Sequence, residues 1–147
     1  MLTKSLITKH LNLNKGIFIA YSGGPDSSAL IHLLSSLNDD QELNIKAIHI
    51  NHNLSKHSAM WKNHCIETCS KLNIDLITES IGMESDGGGV ESASRRARYK
   101  IFENLLNEGD QLVLGHHSDD VAETLFMRLL RGTGLEGMEG PKLKRSI

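Results

Sequence analysis

Short apolar runs alternate with amphipathic stretches along nearly the whole chain, and this alternation narrows the folds open to it. Residues 16–21 (GIFIAY), 43–50, 74–81 and 111–115 read as buried strands. Each is brief, continuous in apolar side chains and bounded by polar or glycine-containing turns. Between them, residues 27–37 carry Ala29, Leu30, Leu33, Leu34 and Leu37 at helical spacing. Residues 58–72, 91–106 and 119–130 read as further helices, with a flexible loop at 84–89 (ESDGGG) and a glycine-rich stretch at 131–140. Strand–helix alternation with continuously apolar strands predicts an α/β fold: a parallel sheet with helices on both faces. Ligands of such sheets lie beyond the carboxyl ends of the strands, where the strand order reverses. The polar segments after each strand are therefore where chemistry is expected.

Composition bounds the rest. At 147 residues the chain is the size of one domain, expected to span 1–147 and to continue into a nucleic-acid-gripping part beyond Ile147, together with a strand completing the sheet. No apolar run approaches the roughly 20 residues of a membrane helix, so no membrane partner is expected. The amino terminus carries Lys9 and His10 and no secretory pattern, which predicts a cytoplasmic protein. Cys65 and Cys69 cannot frame a disulfide scaffold and do not form Cys-x-x-Cys. A net charge of −2 argues against strong nucleic-acid binding by this segment alone.

The segment after the first strand is Ser22-Gly23-Gly24-Pro25-Asp26-Ser27. Paired glycines let the backbone curl until several N–H groups converge, and the following helix points its positive end at the same place. Ser22 and Ser27 could add hydroxyl donors. Asp26 would repel a phosphate unless a cation lay between them, which suggests Mg²⁺. The segment lacks the lysine of a Walker loop and the spacing of a dinucleotide fingerprint. A plain strand-to-helix turn capped by Ser or Asp is the structural alternative.

Two later segments carry further candidates. On the helix predicted at 91–106, a 100° projection puts Glu91, Arg95, Arg98 and Phe102 in one stripe. Two guanidiniums at the carboxyl edge of the sheet could stabilise a leaving pyrophosphate; a solvated stripe with a Glu91–Arg95 pair is the alternative. His116-His117-Ser118-Asp119-Asp120 then opens the helix predicted at 119–130, with Ser118 as its cap. Acids at a helix start favour the macrodipole, yet Asp119 and Glu123 would also share a face suited to metal or substrate. His49 and His52 close the second strand without the ligands of a tetrahedral site. Trp61, Cys65, Cys69 and Leu72 repeat at helical spacing and read as core. His10, His32, His57 and His64 receive no role.

The loop at 22–27 resembles the PP-loop of the N-type ATP pyrophosphatases. That likeness implies a Rossmann-like, adenine nucleotide alpha-hydrolase-like fold and ATP cleaved between its α and β phosphates. Glu91-x-x-x-Arg95-x-x-Arg98-Tyr99 and His116-His117-x-Asp119-Asp120-x-x-Glu123-Thr124, followed by Arg131-Gly132-x-Gly134-x-x-Gly137, resemble stretches of the tRNA(Ile)-lysidine synthases. So does His49-Ile50-Asn51-His52. Ser94 stands where that family usually has alanine, and the match drifts after Gly137. The resemblance implies that residues 22–27 and His52 bind ATP, that Asp26 holds Mg²⁺, and that Asp26, Arg95, Arg98, Asp119 and Asp120 are catalytic. His117, Glu123, Arg131, Gly132 and Gly134 would face substrate. The partners implied are a tRNA(Ile) with a CAU anticodon and L-lysine, with a homodimer as a further expectation. The reaction implied is adenylation of the wobble cytidine and displacement of AMP by lysine. Alternatives on the same loop are tRNA thiolation, for which the expected Cys-x-x-Cys is missing, and small-molecule amide ligation. A non-catalytic nucleotide-binding module is an alternative of another class.

Overall fold

A computed structural model describes residues 3–53, 56–82, 90–118 and 121–131, and the side chains of these except residues 90–92 and 116–131. The elements in chain order are α1 (Lys4–His10), β1 (Ile17–Ala20), α2 (Pro25–Asn38), β2 (Ile45–Asn51), α3 (Ser58–Lys71), β3 (Asp75–Ser80), α4 (Val90–Leu105), β4 (Gln111–Ser118) and β5 (Val121–Arg131). The strands form one sheet in the order β3-β2-β1-β4-β5. Pairings among β3, β2, β1 and β4 are parallel, as the alternation predicts.

The period-two rule sorts the strand side chains onto two faces. Ile17, Ile19 and Tyr21 of the first strand and its end, Ile45 and Ala47 of β2, and Val113 of β4 pack with Leu30, Ile31 and Leu34 of α2 and Cys65 and Cys69 of α3. Phe18, Ile48, Ile50, Leu112 and Leu114 point the other way and pack with Phe102 of α4. Helices thus cover both faces, and continuous burial of β1 and β2 follows from that.

Two features depart from the sequence reading. α1 was not anticipated; its amino end is capped by the Thr3 hydroxyl, which accepts from the Leu6 N–H at 3.3 Å. Its following segment is tied to β4 by buried Gln111, whose amide donates to the Asn12 carbonyl and accepts from the Asn12 N–H, both at 2.7 Å.

The helix expected at 119–130 is instead β5, antiparallel to β4. The apolar run Leu125-Phe126-Met127, with Leu129 and Leu130, is compatible with either period. Pairing decides it: β4 would otherwise present a free edge of backbone N–H and C=O groups, and β5 satisfies them. The same pairing extends β4 from the expected 111–115 through Ser118, so Ser118 is not a helix cap. Glu123 consequently lies on a strand and not on a helical face.

The strand order places the switch point at β1. From β1 the chain moves outward to β2 and β3, then returns to β1's other side as β4. The carboxyl ends of β1 and β4 therefore diverge into a crevice.

Candidate functional site

The segment leaving β1 enters that crevice. Pro25 occupies the first turn of α2, and Gly24 is the cap residue, with no side chain capping the helix. The Ser28 N–H bonds the Gly24 carbonyl at 2.9 Å. The amides of Asp26 and Ser27 therefore lie within the first turn, where N–H groups have no intrahelical acceptors. The plain alternative, a Ser or Asp cap, is not what this turn uses.

The two serines hold the loop's own shape. Ser27 Oγ accepts from the Ser22 N–H at 3.2 Å and donates to the Gly24 carbonyl at 3.3 Å. The Ser22 hydroxyl lies 3.0 Å from Ser27 Oγ, and Ser22 Oγ accepts from the Gly24 N–H at 3.3 Å. With the Ser27 proton on Gly24, the Ser22 proton points to Ser27. Both hydroxyl protons thus stay inside the loop, and main-chain amides are left as the outward donors. Gly23 has φ +82, and a Cβ there would lie 2.9 Å from Cys65 Sγ and 3.1 Å from Trp61 Nε1. Only glycine meets both demands.

Beside the loop is a cavity of about 160 Å³, lined by Ser22, Ser27, His52, Arg98, Phe102 and Gly115 among others. Arg98 Nε and His52 Nδ1 are buried without hydrogen-bond partners among the described residues. Burial, the Arg98 guanidinium and His49 together hold His52 below its ordinary pKa of 6.5, so at neutral pH it is uncharged. Buried polar atoms without protein partners are costly unless water or a ligand satisfies them. A larger hollow of about 420 Å³ lies on the other side of the β2 end, lined by His49, Asn51, His52, His57, Ser58 and Trp61 among others. His49 Nδ1 sits 3.0 Å from the Tyr21 carbonyl and, since a carbonyl only accepts, carries the proton there.

Comparison with known proteins fits this geometry. The family profile described as a PP-loop domain matches residues 2–146. The chain belongs to the PP-loop domain family. It is 36% identical to a tRNA(Ile)-lysidine synthase of Alkalilimnicola ehrlichii over 99% of this chain and 34% of that protein. It is 38% identical to one from Coxiella burnetii, over 93% of this chain and 31% of that protein. A third, from Legionella pneumophila, is 42% identical over 84% of this chain and 28% of that protein. The chain spans about a third of the length of these relatives. Among solved structures, a U34-tRNA thiolase from Methanococcus maripaludis, determined with its 4Fe–4S cluster, matches with a TM-score of 0.62. That match has 22% identity and covers 80% of this chain and 46% of that one, a likeness of fold.

Of the residues singled out in the sequence, the PP-loop, His52 and Arg98 come together at the switch point. Arg95 does not line the cavity: it is exposed, its guanidinium 5.5 Å from the centroid of the Tyr99 ring. Arg98 lies 5.7 Å from the same ring, is partly buried and lines the cavity. Asp119, Asp120, Gly132 and Gly134 lie outside the described residues, as do the side chains of Glu91, His117, Glu123 and Arg131. The backbone of His117 is in β4, and those of Glu123 and Arg131 are in β5.

Asp26 is half-buried on the first turn of α2. One carboxylate with phosphate oxygens and water is a usual Mg²⁺ ligand set, so the residue present fits. No group of three His, Cys, Asp or Glu able to hold a metal alone occurs among the described residues.

Trp61 is what the sequence reading missed. Its helical spacing with Cys65 and Cys69 predicts core, and those two are buried, their thiols pushed up to about 11 by burial. Trp61 is 49% exposed, and its Nε1–H donates to the Ser22 carbonyl at 2.6 Å. One signal was available. α3 follows a parallel strand, so its first turn must sit at the carboxyl edge, beside the loop.

Proposed function

We propose that the PP-loop binds the phosphates of ATP and that the adjoining cavity takes the base and ribose. The carrying observation is a pair of partnerless buried polar atoms, the donor Arg98 Nε and the ring nitrogen His52 Nδ1, facing a cavity that opens onto the uncapped start of α2. At about 160 Å³ the cavity is smaller than the roughly 300–1,000 Å³ of complete ligand pockets, which suits a base with its phosphates lying outside along the loop. The amides of the first α2 turn and the helix dipole would hold the outgoing diphosphate. Asp26 would hold Mg²⁺, and Arg98 would offset negative charge developing at the transferred phosphate. ATP supplies a good leaving group; the chain's own part is position and charge.

The similarity to tRNA(Ile)-lysidine synthases supports a finer reading. The acceptor is the wobble cytidine of a CAU-anticodon tRNA(Ile), adenylated at its C2 oxygen. L-lysine then displaces AMP, giving lysidine with release of AMP and pyrophosphate. Asp119, Asp120, His117, Glu123, Arg131, Gly132 and Gly134 are proposed to face tRNA and lysine. Thiolation is disfavoured, because the two cysteines are buried in the core with their thiols protonated.

Two measurements test this. Equilibrium binding of ATP with Mg²⁺ tests the nucleotide half. AMP and pyrophosphate release that requires both CAU tRNA and L-lysine tests the rest. Bound ATP that stays intact with every acceptor would leave a nucleotide-binding module, and release driven by ammonia and a small carboxylic acid would indicate an amide ligase. Within the proposal, Arg98→Ala is expected to slow single-turnover adenylation by on the order of 10²–10³-fold. An unchanged rate would remove Arg98 from the chemistry.

A further inference from the structure

We infer that Trp61 is a positioning residue for the PP-loop, fixing the Ser22–Gly23 peptide so that the Gly23 N–H serves an incoming pyrophosphate. The inference rests on the proposed reading of the loop as a pyrophosphate site. An indole that is half exposed can give its N–H to water, so solubility does not require a protein partner. Trp61 nonetheless donates to the Ser22 carbonyl at 2.6 Å, a direct tie from α3 to the loop. Its ring is steadied from the helix side by His64, at a centroid distance of 5.7 Å.

The consequence follows from peptide geometry. In a planar trans peptide the C=O and the next N–H point in opposite directions. With the Ser22 carbonyl held on Trp61, the Gly23 N–H must face away from α3. Gly23 has φ +82, and its α-carbon is walled by Trp61 Nε1 and Cys65 Sγ, so the peptide has little room to flip. An unheld carbonyl at this place could rotate toward the anion and repel it. The bond therefore acts on the loop's donor set and contributes little to the fold. Trp61 lines the larger hollow and not the 160 Å³ cavity, so a base bound there does not touch it.

This separates two ligands. Calorimetric titrations of the chain and of Trp61→Phe with inorganic pyrophosphate and with adenosine are the test. Trp61→Phe keeps the ring and removes the donor. Pyrophosphate affinity is expected to fall about tenfold, the worth of one hydrogen bond. Adenosine affinity should stay level, with the melting temperature shifted by no more than about 3 °C. Trp61 is the single tryptophan, so its emission in the unmodified chain should shift with pyrophosphate and not with adenosine. Equal pyrophosphate affinity in the variant overturns the inference. So does a parallel loss of both ligands with a lowered melting temperature, which marks a structural role. If Trp61→Phe does not fold, emission decides: pyrophosphate binding that leaves it unchanged is equally fatal. An unmodified chain that binds no pyrophosphate sinks the reading of the loop itself, an outcome visible before any variant is made.

Discussion

Two single residues carry most of the site's physical constraint. Gly23 combines a left-handed backbone with side chains against its α-carbon, so Gly23→Ala faces strain on both counts. Positive φ in a non-glycine residue costs on the order of 1–3 kcal/mol. The variant is expected to lose about that much in urea unfolding and to lose pyrophosphate binding with it; a fully stable variant with normal binding would show the curl to be dispensable. His52 carries a pH signature. Burial, Arg98 and His49 hold its folded pKa below 6.5, so between the two values the unfolded chain binds more protons. Stability from this group is complete above the unfolded value and is lost as pH falls through the folded one. Unfolding free energies taken from about pH 8 to about pH 5 should decline toward acid, and His52→Gln should flatten that part of the decline. Identical slopes in the two proteins would assign the acid loss to other groups.

At the scale of elements, periodicity made seven segments legible and failed at two, for different reasons. β1, β2 and α2 were readable because a strand buried on both faces is continuously apolar and a helix buried on one is not. α1 is short, and its only sequence mark is Thr3 before a mixed stretch; its place comes from Ile7 packing against the core, a tertiary contact no local pattern contains. β5 was misread because its apolar run suits a helical or a strand period equally well, and the free edge of β4 chose between them. The site divides the same way. The PP-loop was legible because converging amides need glycine, whereas Trp61 was not, since the same spacing serves core and edge. Gln111 gives an element-scale prediction. It is wholly buried and is bonded twice to Asn12, joining the α1 side of the fold to β4. Gln111→Leu keeps the bulk and removes both bonds to the Asn12 main chain. A loss of about 0.5–1.5 kcal/mol per bond is expected in denaturant unfolding, with nucleotide affinity retained because the site lies at the opposite ends of the strands. A neutral result would mean that water reaches Asn12.

For the molecule as a whole, charge sets what the chain can do with a tRNA. Sixteen Lys and Arg against eighteen Asp and Glu give −2, and polyanion binding depends on counterions released by clustered cations. A nucleotide needs only the amides and the few charges gathered at one switch point, all of which lie within the chain. A tRNA needs many phosphate contacts over a wide surface, and the relatives named for acting on tRNA are about three times longer than this chain. Residues 1–147 are therefore expected to bind ATP with Mg²⁺ and to hold tRNA only weakly, with dissociation constants on the order of 10⁻⁴–10⁻⁶ M, typical of non-specific contacts at physiological salt. Filter binding with CAU tRNA(Ile) at two salt concentrations checks this. Nanomolar affinity for CAU tRNA, with little for other tRNAs, would locate anticodon recognition inside the PP-loop domain and overturn the division of labour argued from charge. Weak binding that does not distinguish CAU tRNA from bulk tRNA, beside intact ATP binding, would place recognition of the nucleic acid outside these residues while leaving the nucleotide chemistry with them.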